Sequence, residues 1–249
     1  MKQRLFNSIV ISVSFGTAAL IFFAIMAQAE KESVLHQIYM GGPLVIALMA
    51  LSMLTITYII ERLLSLGKAQ GKGNIAVFLS AMIKNLNAGE IDAAIKECDK
   101  QRGSLANIIK TGLERYLQIR NEGAMDKKTK IAEVKRVIEE STMLEMPILE
   151  KNLISLSTIA SISTMVGLLG TVLGMIRSFS ALSKSGGAVD AAQLSQGISE
   201  ALINTAGGIA VAIVAIVAYN FMTTKIDGMT YMIDETSSTL LENLEAHTK

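Results

Sequence analysis

Four long apolar stretches punctuate the chain, at 9–26, 43–60, 152–176 and 201–224. The last two are the most unusual. No charged residue falls between Lys151 and Arg177, and none between Glu200 and Lys225. Each run exceeds the roughly 18–20 residues that cross a bilayer as a helix. Both are dense in Ser, Thr, Gly and Ala, which a helix facing only lipid does not need, so they predict a closely packed pair with a polar seam. The stretch at 43–60 opens on Gly41-Gly42-Pro43, a break followed by a residue tolerated in a first helical turn. It carries little polarity beyond Ser52, Thr55 and Thr57 and reads as an outer, lipid-facing helix. The first stretch follows Lys2 and Arg4 and ends in Ala27-Gln28-Ala29, the layout of a secretory signal peptide, although its length also suits an uncleaved helix.

Between the second and third stretches the period is still helical, but the faces are charged. Segments 90–100, 104–120 and 127–145 repeat every 3.6 residues, with an apolar stripe of Leu105, Ile108, Ile109, Gly112, Leu113, Tyr116 and Leu117 and a thinner face of Ile131, Val134, Ile138, Thr142 and Glu145. Asn74 or Asn87 could cap helix starts. Pro147 predicts a kink rather than a break, with the helix running almost continuously into the third stretch. After 224, Ile226, Met229, Ile233, Thr236 and Leu240 mark one face of a polar helix. The expected fold is an all-α integral membrane protein: three core transmembrane helices, an N-terminal signal peptide or extra helix, and long helices extending into the cytoplasm. The corresponding segments are 1–29, signal peptide or N-terminal helix; 30–42, a periplasmic segment with an amphipathic turn or two; 43–64, the first core span; 65–150, cytoplasmic helices; 151–178 and 197–224, the second and third spans, joined by a periplasmic loop at 179–196; and 225–249, a cytoplasmic tail.

Composition supports the membrane reading: mean hydropathy is +0.44, 51% of residues are hydrophobic and 18% charged, against about 25% charged in a soluble domain. A net charge of +1 provides no field for nucleic acid. Of the 23 Lys and Arg, 16 fall between Glu61 and Lys151, and Arg62, Lys68, Lys72 and Lys151 flank the spans, which makes that region cytoplasmic by the positive-inside rule. The C-terminus is then expected on the cytoplasmic side as well. Cys98 is the single cysteine and reads as a small buried side chain.

The candidate chemistry lies in the last two spans. Ser157, Ser161, Thr164, Leu168 and Thr171 follow a 4-3-4-3 spacing, and Ala201, Thr205, Gly208, Ala212 and Ala215 repeat it with small residues, so the two stripes are expected to pack face to face. On a neighbouring face Gly167, Gly170 and Gly174 permit close backbone approach. A line of hydroxyls can serve a carboxylate, an ion or a water file, or it can merely pack helices. Glu200 opens an otherwise uncharged span, either as an interfacial carboxylate at a helix start or as a polar pore-mouth residue aided by Asn204 one turn further in. Arg177 is expected to snorkel to the headgroups. The two histidines, His36 and His247, are far apart. No Ser-His-Asp or Cys-His set, metal-ligand spacing or phosphate loop is present, so neither an enzyme nor a cofactor is expected.

Two motifs carry a family resemblance. GLLGTVLGMI at 167–176 resembles the GLxGTVxGxI signature of the second core helix in ExbB/TolQ-type proton-channel proteins. GISEALINTAGG at 197–208 resembles their GIxEALxxTAxG third-helix signature, followed by Val217-Ala218-Tyr219-Asn220. The resemblance, closest to ExbB, implies a homo-oligomer, a pentamer, around a dimer of single-span ExbD- or TolR-like partners whose membrane aspartate carries protons. It also implies a TonB-like third component and embedding lipids. Thr171 and Thr205 would face the aspartate, with Glu200 near the pore entrance. The role implied is an ExbB-type motor subunit that energises outer-membrane transport; the alternatives are a TolQ-type subunit for envelope integrity and a non-conducting scaffold. The departures from the pattern are the extra N-terminal apolar segment and the Gly207-Gly208 pair, where related chains often carry one bulkier residue.

Overall fold

The protein is described by a computed structural model, covering residues 2–30, 33–120, 125–184 and 191–247. These residues are 89% helical, with no strand among them. The helices are α1 (Lys2–Ala24), α2 (Val34–Tyr39), α3 (Leu44–Ala69), α4 (Ile75–Asn87), α5 (Ile91–Gln101), α6 (Ser104–Ile119), α7 (Lys127–Leu149), α8 (Leu153–Lys184) and α9 (Ala191–His247), with a single 3-10 turn at Met26–Gln28. Four helical stretches are long and apolar enough to cross a membrane, at Ser8–Gln28, Leu44–Ala69, Lys127–Ser183 and Ala192–Ala246. The protein is therefore an all-α, multi-pass membrane protein.

The fold divides into two units, one within residues 1–60 and 152–220, the other within 61–151 and 221–249. In the first, α1 buries Ser14, Ala18 and Phe22, one residue per turn, and Thr17 donates its hydroxyl to Met53 of α3. α3 buries Val45, Leu48, Leu51, Leu54 and Tyr58 while Ile56 and Ile60 stay exposed. Thr55 and Thr57 satisfy themselves against Leu51 and Met53 one turn back, so the helix has no polar group in need of a partner there. The loop expected at 179–196 is narrower: α8 continues to Lys184 and α9 starts at Ala191, while 185–190, the greater part of the SKSGGAVD segment, lies outside the described residues.

The second unit is a helical bundle in which α4 packs on α5, α5 on α6 and α6 on α7. Its core collects Met82 and Leu86 from α4, Ala94 and Cys98 from α5, Ile108, Ile109 and Leu113 from α6, Val134 and Ile138 from α7, and Ile233, Leu240 and Leu244 from α9. The α6 and α7 residues, with Ile233 and Leu240, belong to the stripes expected from the 3.6-residue period. Gly112 has no room for a side chain, since a Cβ there would lie 2.6 Å from Ile138. Asn74 caps α4 by accepting from the Ala76 N–H at 2.8 Å, whereas Asn87 is the last residue of that helix and caps no start. Burial pushes the Cys98 thiol up to about 12, which leaves it an inert packing group.

As expected, the helix is not broken at Pro147, which lies inside α7, and only a short interruption at 150–152, where Asn152 takes a left-handed φ of 59°, separates Leu149 from the start of α8. Arg62, at the basic end of the apolar stretch of α3, is buried. It is 1% exposed, pairs with Glu61 through Nε at 2.7 Å and Nη2 at 2.5 Å, and aims Nη1 at the carbonyls of Ile148 and Leu149, 3.4 Å away. The last carbonyls of a helix have no intrahelical donor, and Arg62 supplies one at the end of α7.

On the surface of this unit Glu133 accepts from both Arg115 and Arg136, each at 2.8 Å, which holds its carboxyl down at about 2 against 4.5 ordinarily, with the Arg136 hydrogen bond the largest cause. A depressed carboxylate contributes stability above its unfolded pKa and loses it as pH falls through the folded one. Glu133→Gln should therefore unfold more readily than the parent at pH 7, with the gap closing between pH 4.5 and about 2. Denaturation midpoints followed across that range measure it.

Candidate functional site

In the first unit α8 and α9 meet along their glycines. The buried face of α8 runs through Leu156, Ser163, Gly167, Gly170, Gly174 and Ser178; that of α9 runs through Gly197, Ala201, Asn204, Gly208 and Ala215. The contact is backbone on backbone. A Cβ on Gly208 would sit 2.5 Å from the Ser163 carbonyl and 2.9 Å from Gly167 Cα, and one on Gly174 would sit 2.7 Å from the Gly197 carbonyl. At this range small residues gain dispersion contacts that lipid-exposed bulk cannot. Thr205 bridges the seam, its hydroxyl within 3.2 Å of both the Gly167 and the Ala201 carbonyl.

The expected pairing of stripes is thus half right. The small-residue stripe of α9 does face α8, but its counterpart there is the glycine face, extended by the fully buried Ser163. The hydroxyl stripe lies to one side. Ser157, Ser161, Thr164 and Thr171 each donate to a carbonyl of their own helix, at 3.0, 3.2, 3.2 and 2.6 Å, and each keeps acceptor lone pairs. Leu168 is exposed. Ser157, Ser161 and Thr164 share a cleft of about 540 Å³ with Ala212, Ile216 and Tyr219 of α9. Thr171 stands apart, beside Val172, Met175, Ile176 and Phe179. Within one chain the stripe is two separate hydroxyl patches rather than a continuous path.

At the other end of the seam Glu200 is tied down. Its Oε1 pairs with Arg177 Nη1, and its side chain is 12% exposed against 55% for the arginine. Arg177 therefore turns to α9 instead of standing alone. The carboxylate also closes over Gly42, where φ is +74° and a Cβ would lie 2.5 Å from Glu200 Oε1. Only glycine takes that backbone and that contact together. Asn204, fully buried, donates Nδ2 to the Gly41 carbonyl at 2.7 Å and to the Glu200 carbonyl at 2.9 Å, while its Oδ1 has no protein partner. The α2–α3 corner is thereby bound to α9. Neither the Arg177 pairing nor the Gly41 bond is legible from spacing, because each joins elements far apart in the chain; the paired glycines at the corner were the only trace.

Among the described residues no cluster of His, Cys, Asp or Glu could hold a metal ion. What α8 and α9 offer is hydroxyls, glycine contacts and one salt-bridged carboxylate at a helix end. This is the make-up of a membrane helix pair suited to passing or positioning charge. The chain matches the profile of the MotA/TolQ/ExbB proton channel family over residues 100–235. It is 32% identical to the biopolymer transport protein ExbB-like 3 of Synechocystis sp. over 72% of this chain and 80% of that protein. It is 37% identical to the biopolymer transport protein ExbB of Aquifex aeolicus over 46% of this chain and 69% of that one. It is also 36% identical to the Tol-Pal system protein TolQ of Pseudomonas aeruginosa over 45% of this chain and 48% of TolQ, so it spans about half of that relative's length. The chain belongs to the MotA/TolQ/ExbB proton channel family.

Two outcomes follow from this geometry. Gly208→Val should destabilise the folded protein by about 1–3 kcal/mol, since neither backbone can retreat, whereas Gly207→Ala, which meets only the tip of Leu48, should be nearly silent in the same detergent-unfolding assay. Arg177→Glu and Glu200→Arg should each destabilise, and the double exchange should recover the pair's coupling. That coupling should be about 0.5–1 kcal/mol, because the arginine is half exposed to screening.

Proposed function

We propose that this chain is the channel-forming subunit of a proton-driven motor of the ExbB kind in a bacterial inner membrane, with its C-terminus in the cytoplasm. Copies of the chain assemble, as a pentamer, around an ExbD- or TolR-like single-span partner. The partner's membrane aspartate takes up and releases the proton, and a TonB-like component carries the work to outer-membrane active transport. The observation that carries this reading is the hydroxyl stripe of α8. It lies beside the glycine contact with α9 rather than in it, on a helix with no ionisable side chain from 152 to 176. Hydroxyls at membrane depth whose lone pairs remain unused suit an incoming donor, and the titrating group has to come from elsewhere. Movement of one charge through 100 mV releases about 2.3 kcal/mol, enough to bias a conformational step.

In this reading Thr171 and Thr205 face the partner's carboxyl group, Ser157, Ser161 and Thr164 extend the polar wall, Glu200 and Asn204 order the pore entrance, and Gly167, Gly170, Gly174 and Gly208 hold the wall together. The similarity to TolQ favours a second reading, envelope maintenance with a TolR-like partner. The single-span protein that co-purifies with the chain decides between the two.

Thr171→Ala and Thr205→Ala separate a motor from a scaffold. Membrane-helix hydroxyl bonds are worth about 0.6 kcal/mol, so both variants should assemble normally. Proton flux through vesicles holding the chain and its partner should fall about tenfold or more, the effect of roughly 1.4 kcal/mol on a barrier. Unchanged flux in both variants would make the chain a scaffold. Glu200→Ala with flux and assembly both unchanged would remove that residue from the site.

A further inference from the structure

Where α3 leaves its apolar stretch, the structure gathers positive charge that nothing described so far uses. Leu63, Leu64, Gly67 and Lys68 fall on one side of the last turns of α3. The turn after α3 is locked to the turn between α5 and α6: the Lys72 N–H donates to the Gln101 carbonyl at 2.6 Å, and Gln101 Nε2 reaches the Gln70 carbonyl at 3.4 Å. Gly71 and Gly103, at φ of 85° and 97°, press backbone to backbone, a Cβ on Gly103 lying 2.7 Å from Gly71 N. The result is a cleft of about 520 Å³ lined by Leu63, Leu64, Lys68, Lys72 and Arg102 with Gly67 and Gly71, and among the described residues no acidic side chain lines it.

Three features mark the cleft as more than a solvated surface. Lys68, Lys72 and Arg102 take part in none of the ion pairs among the described residues, and the cleft brings all three cations to one place. Arg102 adopts φ 55° and ψ 173°, a conformation nearly reserved for glycine. The packed turns therefore hold a long cationic side chain where a glycine would be easier. Finally, Leu63 and Leu64 are 45% and 63% exposed directly beside the charges, on a helix apolar enough to span a membrane up to Ala69. Exposed leucines one turn from exposed cations match an amphiphile with an acyl chain and an anionic head.

We infer that this cleft is a binding site for an anionic phospholipid, with Lys68, Lys72 and Arg102 around the headgroup phosphate and Leu63 and Leu64 against the first methylenes of an acyl chain. The site anchors the end of α3 and the α5–α6 turn to the same lipid. It depends on the membrane character of the chain and is independent of proton conduction.

The test uses the full-length chain in an uncharged detergent, with lipid adducts counted by native mass spectrometry. Dioleoylphosphatidylglycerol should be retained in preference to dioleoylphosphatidylcholine. Lys68→Ala/Lys72→Ala/Arg102→Gln should weaken that retention on the order of 100-fold. A charge-matched control, Lys84→Ala/Lys96→Ala/Lys135→Ala, on exposed positions outside the cleft, should retain the lipid like the parent. The charge-conserving Lys68→Arg/Lys72→Arg/Arg102→Lys should do so too, which separates loss of the site from loss of the fold. Equal loss in the two alanine sets would reduce the effect to net charge and overturn the site. Equal retention of the two lipids would leave only an apolar groove. Displacement of the lipid by millimolar inorganic phosphate would make it a site for the free anion instead.

Discussion

Everything in the membrane half of this chain depends on how closely α8 and α9 approach. Lipid is as apolar as leucine, so two membrane helices gain nothing from hiding leucines against each other. They gain from contacts that lipid cannot match, and these require the backbones to touch. Gly167, Gly174, Gly197 and Gly208 make that possible, with carbonyl and Cα atoms standing where a Cβ would otherwise be. Once glycines occupy the seam, the bulkier residues of both helices are forced to the flanks. The exposure of Ile162, Met165, Leu169 and Val172 on α8, and of Ile209, Ile213 and Val217 on α9, follows from that choice.

The same constraint determines where polarity can go. A hydroxyl buried inside the seam must bond within it, as Ser163 does to Ile159, whereas Thr205, half-buried at its edge, bonds across to Gly167 and keeps its acceptor lone pairs. A hydroxyl on the flank keeps spare acceptors, as Ser157, Ser161, Thr164 and Thr171 do. The division between structural and available hydroxyls is therefore set by the helix face each residue occupies, one or two positions apart in sequence. Asn204 belongs to the structural group through its Nδ2, which carries the α2–α3 corner, yet its buried Oδ1 is left without a protein donor. An unmade bond of that kind is costly in a low dielectric.

Periodicity made the helices legible, and the core of the second unit with them: the stripes of α6 and of the α9 tail, from Leu105 to Tyr116 and from Ile226 to Leu240, are buried as spaced. Spacing alone misassigned the seam, because the glycine and hydroxyl rows of α8 run side by side in nearly the same register. Only the partner helix decides which row is covered. Long-range ties were invisible for a different reason. The bonds from Arg62 to Ile148 and Leu149, and from Asn204 to Gly41, join residues separated by whole helices, and a local pattern holds no information about them. Pro147 stays inside α7, as a kink would, but the interruption that follows at 150–152, with Asn152 in a left-handed backbone, carries no signal in the spacing.

Charge is handled in the same spirit at both ends of the apolar stretches. Arg62, sunk at the end of α7, is neutralised by its neighbour Glu61 and spends its remaining donor on helix carbonyls. Glu200, at the start of the last apolar run, is neutralised by Arg177 and wrapped by a glycine corner. In both cases a charge that would be expensive in hydrocarbon is paired before it gets there. The apolar cores of α8 and α9 are left with hydroxyls and amides but no unpaired ion. A helix pair built this way presents a polar wall without a charge of its own, and any charge that moves along the wall has to be brought by another group.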